Sequence, residues 1–293
     1  MKDREVILIA DAGSTKTDWC LIERSGRVVA NVKTEGINAA IATADQMSRY
    51  LQSAKRLIKE NAGGGINPDE VFYYGAGCAS DAICQNVEEA IANVWGCDVV
   101  EVASDMLGAC RALLGKEPGV ACILGTGSNS ALYDGKKIIA NTPPLGYILG
   151  DEGSGAVIGK RFISDIFKGC APEHIVEEFL EKTGLTKDEV IRRVYREPNA
   201  NRFLASFAPY IAAHIDEEYF RTLVLDQFAD FIRRNILHYS GATTLPISFI
   251  GSIAEHFSHL LGQTLNRFNL TGGKILSSPM PGLISYHSNI SEL

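Results

Sequence analysis

Apolar positions open the chain in short strand-like runs. Residues 5–10, 17–23 and 27–33 are three such stretches, punctuated by Gly13-Ser14 and Ser25-Gly26, which predicts a three-strand meander. The period then changes. Across residues 44–61, Met47, Tyr50, Leu51, Ala54, Leu57 and Ile58 fall on one helical face, and Gly63-Gly64-Gly65 ends the helix. A strand at 71–74, a helix at 80–94, a strand at 99–103 and a helix at 105–114 follow.

The pattern then restarts. Strands are predicted at 120–124, 130–133 and 137–140, with Gly127-Ser128 where the first half has Gly13-Ser14, and Asp134-Gly135 where it has Ser25-Gly26. Arg27-Val28-Val29-Ala30 and Lys137-Ile138-Ile139-Ala140 close the two units alike. Shared order of parts argues for duplication into two similar domains. Helices are predicted at 156–167, 172–182, 187–195, 201–215, 217–239 and 254–268, with strands at 246–250 and 274–276. Alternating strands and helices predict an α/β fold with mixed sheets. The boundary is expected near Lys116-Glu117-Pro118-Gly119, giving domains 1–117 and 118–293.

A chain of 293 residues is long enough for two cores. With 46% hydrophobic and 22% charged residues it reads as globular rather than disordered. The net charge of −7 and the lack of a basic run exclude a nucleic-acid partner. The start, Met1-Lys2-Asp3-Arg4, is charged, but Asp11 interrupts the apolar run after it, so neither a signal peptide nor a membrane span is expected. The seven cysteines are scattered without a C-x-x-C pair, which reads as reduced, core-packed thiols and a cytoplasmic location.

Five segments carry candidate chemistry. In Asp11-Ala12-Gly13-Ser14-Thr15-Lys16-Thr17 a strand delivers an acid to a glycine turn. Glycine lets backbone N–H groups approach phosphate oxygens, and the acid can hold Mg²⁺ through water. The Walker A spacing is absent. Leu124-Gly125-Thr126-Gly127-Ser128-Asn129 repeats the design. Alone each segment reads as readily as a β-turn; placed symmetrically, two such hairpins suit the phosphate chain of one nucleotide. In Ser104-Asp105, Ser104 suits the helix cap, which leaves Asp105 to orient an acceptor hydroxyl and take its proton. In the segment Leu145 to Gly155, Asp151 or Glu152 suits sugar hydroxyls, although Glu152 reads equally as helix-dipole compensation. Gly251-Ser252 would let a flat adenine approach the backbone.

In this order, the motifs resemble those of the acetate and sugar kinase, heat-shock 70 and actin superfamily, over nearly the whole chain. They are most similar to the N-acetylglucosamine kinase branch grouped with the BadF/BadG/BcrA/BcrD ATPases. The resemblance implies two ribonuclease-H-like domains with the active site in a cleft between them. It implies that Gly13, Ser14, Thr15, Lys16, Thr126 and Gly127 contact ATP phosphates, that Asp11 positions Mg²⁺, and that Asp105 is the base. Asn38, Ser128, Asn129, Gly146 and Asp151 match sugar contacts. A small-molecule sugar and ATP are then the partners, and a homodimer is compatible with the branch.

The sequence also departs from the animal amino-sugar kinases. Leu145-Gly146-Tyr147 stands where they carry Gly-Trp-Gly, and Gly75-Ala76-Gly77-Cys78-Ala79 replaces a serine-containing segment that touches the sugar. These differences bear on the acceptor, with N-acetylmuramic acid or a hexose as rivals to N-acetylglucosamine. A dehydratase-activating ATPase needs cysteines beside a glycine-rich helix for its cluster, and residues 125–129 contain none. A sugar sensor without catalysis would not need Asp105.

Overall fold

The computed structural model describes residues 5–288; the charged start Met1-Lys2-Asp3-Arg4 and residues 289–293 lie outside the described residues. Two compact units result. The first holds the described residues up to Lys116 together with those from Ser278 onward; the second is Glu117–Ser277. The expected boundary thus moves by one residue. The expectation that everything from 118 onward joins the second domain is corrected, because the chain after Ser277 packs with the first unit.

In the first unit, β1 (Val6–Ala12), β2 (Lys16–Glu23) and β3 (Val28–Glu35) form the expected antiparallel meander. Helix α1 (Ala44–Asn61) begins with a capping box between Thr43 and Gln46, a pairing that satisfies two of the orphan N–H groups at the helix start. It buries Met47, Leu51, Ala54 and Ile58, each large side chain contributing roughly 1.5–3 kcal/mol. β4 (Glu70–Gly75), α2 (Asp81–Trp95), β5 (Val99–Ser104) and α3 (Asp105–Leu114) complete a sheet of order β3-β2-β1-β4-β5, with β4 and β5 parallel to β1. Successive strand residues face opposite ways. Leu8 and Ala10 therefore pack with α1 and α2, while Ile7 and Ile9 are buried on the other face.

The second unit repeats the plan. β6 (Gly119–Leu124), β7 (Ser128–Tyr133) and β8 (Ile138–Thr142) form the meander. Then come α4 (Gly146–Leu149), α5 (Gly155–Lys168), α6 (Glu173–Thr183), α7 (Lys187–Tyr195), α8 (Ala200–Ala205), α9 (Ala208–Ala213) and α10 (Glu218–Phe231). β9 (Ile247–Ile250), α11 (Ser252–His256), α12 (Ser258–Arg267) and β10 (Gly272–Leu276) close it. Its sheet order, β10-β9-β6-β7-β8, is the first unit's order read from the other edge, with β9 parallel to β6 and β10 parallel to β9. The core is aromatic: Phe162, Phe179, Phe207 and Phe220 meet with ring centroids 4.9–6.3 Å apart, within the range of favourable ring pairs.

Three expected helices come out differently. The run 201–215 breaks between α8 and α9, with Pro209 in the first turn of α9, where its missing N–H costs nothing. The run 254–268 starts at Ser252 and breaks at Phe257. The run 217–239 passes into a π-helical turn over Ile232–Ile236. Helix α13 (Met280–His287) follows the last expected strand and was not expected; Pro281 lies in its first turn, where a proline is tolerated.

All seven cysteines are free, and five are buried as core-packed thiols should be; Cys84 is half-buried and Cys170 is exposed, which corrects the uniform reading. Among the described residues, no helix is long and apolar enough to cross a membrane.

Candidate active site

In the first unit the Gly13 N–H donates to Lys16 O at 3.0 Å. That bond closes a two-residue loop, Ser14-Thr15, and sets the ladder so that Asp11 lies opposite Asp18. Ser14, Thr15 and Lys16 are exposed at its tip. Gly36 backs the loop: its N–H donates to Thr15 O at 3.0 Å, and a Cβ there would collide with Gly13 O and the Thr15 and Lys16 nitrogens. Two residues on, Asn38 accepts from the Ala40 N–H through Oδ1 at 3.0 Å. Gly77, at φ 84°, leaves no room for a Cβ beside that oxygen.

The carboxylates follow from this register. Asp11 is pushed up to about 7, by burial first, then by Asp18 and Asp105, with Lys16 opposing. Asp18 is 7% exposed and has the Lys16 and Lys33 ammonium groups at 3.6 and 3.5 Å. Sequence reasoning passed over Asp18, although a two-residue loop closed by Gly13 and Lys16 puts it across from Asp11. On α3, Ser104 takes the cap, accepting from the Leu107 N–H at 3.2 Å. Asp105 accepts from the Met106 N–H through Oδ1 at 2.8 Å, which orients the carboxylate, and burial raises its pKa.

The second unit builds a matching turn. Gly125 N–H donates to Gly127 O at 2.9 Å, while Gly155 N–H donates to Gly125 O at 2.8 Å and Ala156 N–H to Thr126 O at 3.1 Å. The turn is thereby docked on the first turn of α5, which Ser154 caps through the Val157 N–H. Gly127 faces Asp151: a Cβ would sit 3.0 Å from Asp151 Oδ2. Burial pushes Asp151 up to about 6, against a hydrogen bond from the Ser128 N–H that favours the anion. Ser128 is buried. Asn129 Oδ1 already accepts from the Ser130 N–H and from Asn141 Nδ2, both at 2.9 Å, so its amide N–H is what it can offer a ligand. Of the paired acids, Glu152 is engaged by Asn235 Nδ2 at 3.3 Å and Arg234 at 3.7 Å, whereas Asp151 faces the turn. Gly146, at φ 71°, opens α4, and its carbonyl accepts from Gly150 N–H at 2.7 Å.

Gly251 adopts φ 120°, and a Cβ there would run into Leu124 O. This contact lays the β9–α11 turn directly on the Gly125 turn. Between them and α8–α9 lies a pocket of about 160 Å³, walled by Gly125, Thr126, Ser252, Ile253, His256 and Phe257 among others. Its largely apolar walls, with the Thr126 and Ser252 hydroxyls, suit a heteroaromatic ring.

Within the first unit, then, Asp11, Asp105, the Gly13–Lys16 turn and Asn38 are tied together by register and loop contacts. Within the second, Thr126, Gly127, Ser128, Asp151, Gly251 and Ser252 surround one turn. Gly36 and Gly77, which fix the first loop and Asn38, were visible as glycines but not as supports.

Comparison with known proteins bears on the fold and the family. An N-acetylglucosamine kinase, provisionally assigned, of Porphyromonas gingivalis is 47% identical over 96% of this chain and 98% of that one, with a TM-score of 0.90. A second provisional N-acetylglucosamine kinase, from Chromobacterium violaceum, matches at 18% identity and TM-score 0.74 over 97% of this chain and 99% of that one. A ROK family glucokinase of Streptomyces griseus, in complex with glucose and AMPPNP, matches at 13% and 0.56 over 97% and 98%; these last two show the fold alone. No curated protein matches. Residues 10–218 match the family model that spans both glycine turns, Asp105 and Asp151, and the chain belongs to the BadF/BadG/BcrA/BcrD ATPase family.

Proposed function

We propose that the protein is an ATP-dependent carbohydrate kinase acting on a hydroxyl of an N-acetylated amino sugar, N-acetylglucosamine first, in the cytoplasm where ATP is supplied. The reading rests above all on Asp105, a carboxylate oriented by the Met106 N–H and desolvated by burial, whose charge helps raise Asp11 beside the Gly13–Lys16 turn. Close identity to the Porphyromonas protein supports the acceptor class.

In this reading the backbone N–H groups of Gly13, Ser14 and Thr15, the Lys16 ammonium and the Thr126 and Gly127 turn hold phosphate oxygens. Gly251 and Ser252 border the adenine. Asn38, Ser128, Asn129, Gly146 and Asp151 hold sugar hydroxyls and the N-acetyl group. Asp105 accepts the acceptor proton as the oxygen bonds to the γ-phosphorus and the bond to ADP breaks. A base raised by burial holds that proton better near neutral pH than an ordinary aspartate.

Mg²⁺ fits the residues present. Asp11 is a buried acid facing a second acid, which a cation relieves. Among the described residues no cluster of three ligating side chains exists, so Asp11 would hold the ion through water and phosphate oxygens. When bound, it neutralises charge on the phosphates.

The test is turnover by purified protein with Mg-ATP and a panel holding N-acetylglucosamine, N-acetylmuramic acid and glucose. ADP release stimulated by N-acetylglucosamine is expected. No stimulation by any sugar would refute the kinase reading.

A further inference from the structure

Tyr74 is 1% exposed, yet its hydroxyl carries a polar network inside an apolar layer. It stands in the β1–β4 ladder directly beside Asp11, so the two side chains share a face of the sheet. Helix α3 lies on that residue twice. Gly108 meets the ring, where a Cβ would come within 2.8 Å of Cγ. One turn later Arg111 Nη1 donates to the Tyr74 hydroxyl at 2.7 Å and to Glu101 Oε1 at 2.5 Å.

Helix α13 completes the arrangement. His287 Nε2 lies 2.7 Å from the same hydroxyl, with its ring stacked on Phe72 at 3.8 Å. Arginine can only donate, so the Tyr74 proton points to His287, whose Nε2 must be bare. Burial and the Arg111 and Arg24 charges push His287 down to about 3, which keeps it neutral. The Tyr286 ring lies 5.1 Å from the Arg111 guanidinium, and Gly282 is pressed on the Ala112 backbone.

We propose that Tyr74 is a positioning residue: held at its hydroxyl by Arg111 and His287, it sets where α3 presents Asp105 relative to Asp11. This rests on the reading of Asp105 as the base. A phenylalanine among apolar neighbours would fill the same space without desolvating an arginine and a histidine. What the polar version adds is direction, because hydrogen bonds fix the angle at which α3 crosses β4. Displacing a catalytic group by about 1 Å can cost on the order of 100-fold in rate.

The experiment compares Tyr74→Phe, His287→Leu and His287→Gln with the parent and with Asp105→Asn. Tyr74→Phe and His287→Leu should lose about tenfold or more in kcat, with KM for sugar and ATP within about twofold. His287→Gln, whose amide oxygen can accept the Tyr74 proton, should retain most of the turnover. Amide exchange at Met106–Gly108 should quicken in Tyr74→Phe while that of β1 does not. Unchanged kcat and exchange in folded Tyr74→Phe and His287→Leu would overturn the positioning role and leave the base reading intact. So would equal losses in His287→Leu and His287→Gln. Full turnover in Asp105→Asn would overturn the base reading and this role with it.

Discussion

Asp11 on β1 and Asp18 on β2 face each other across the first hairpin, in register and on the same face of the sheet. The pair is asymmetric. Asp18 has two lysines beside it, whereas Asp11 is raised by burial first and then by the charges of Asp18 and Asp105. Asp18 therefore steadies Lys16 at the turn for which we propose phosphate binding. In Asp18→Asn the KM for ATP should rise about two- to fivefold, the scale of a partly exposed ion pair. The KM for sugar should not move. Steady-state kinetics with each substrate varied in turn checks this, and an unchanged KM for ATP would remove Asp18 from nucleotide binding.

Asp105→Asn keeps the shape of the carboxylate and can still receive the Met106 N–H. It cannot take a proton. We expect kcat to fall by about 10²–10⁴ while the affinity for a non-hydrolysable ATP analogue, measured by calorimetry, stays within about twofold.

Asp151 carries a pH signature. Its pKa is raised from 3.8 to about 6 in the fold. The native state thus binds the proton more tightly than the unfolded chain, and stability falls as pH rises across that window, remaining lowered above it. Asp151→Asn has no charge to bury. Its melting temperature relative to the parent should be more favourable at about pH 7.5 than near pH 4. If Asp151 also holds a sugar hydroxyl, the same variant shows a raised KM for sugar. A melting difference that does not change with pH would contradict the burial of this charge.

Gly251→Ala meets two obstacles, a φ of 120° and the Leu124 carbonyl. The strain is of order 1–3 kcal/mol. Because the displaced segment walls the pocket beside Thr126, affinity for ATP should fall tenfold or more by the same energy scale. Fluorescent-nucleotide binding measures it, and wild-type affinity in a folded variant would place the base elsewhere.

Much of this was written in the order of residues. The repeated meander with its glycine turns foretold two like sheets, and Ser104 before Asp105 foretold which of the two would cap α3. Local chemistry decided those points. Pairing across the hairpin brought in Asp18, and contacts between loops distant in sequence brought in Gly36 and Gly77. A glycine kept for the absence of a Cβ looks in sequence like any loop glycine. Helix α13 was hidden for a different reason: only its docking on α3 makes a helix there worthwhile. Nothing in the sequence singles out Tyr74 or His287, because the partners of the Tyr74 hydroxyl lie 37 and 213 positions away.

Gly36 joins the Gly13–Lys16 turn to the segment that carries Asn38, with one backbone hydrogen bond and no side chain between. Two ends of a single hairpin are therefore mechanically one piece. Whatever stills the turn at Thr15 also stills the approach to Asn38, and reciprocity demands the reverse in equal measure. Nucleotide and acceptor should each tighten the other's grip before any phosphate moves.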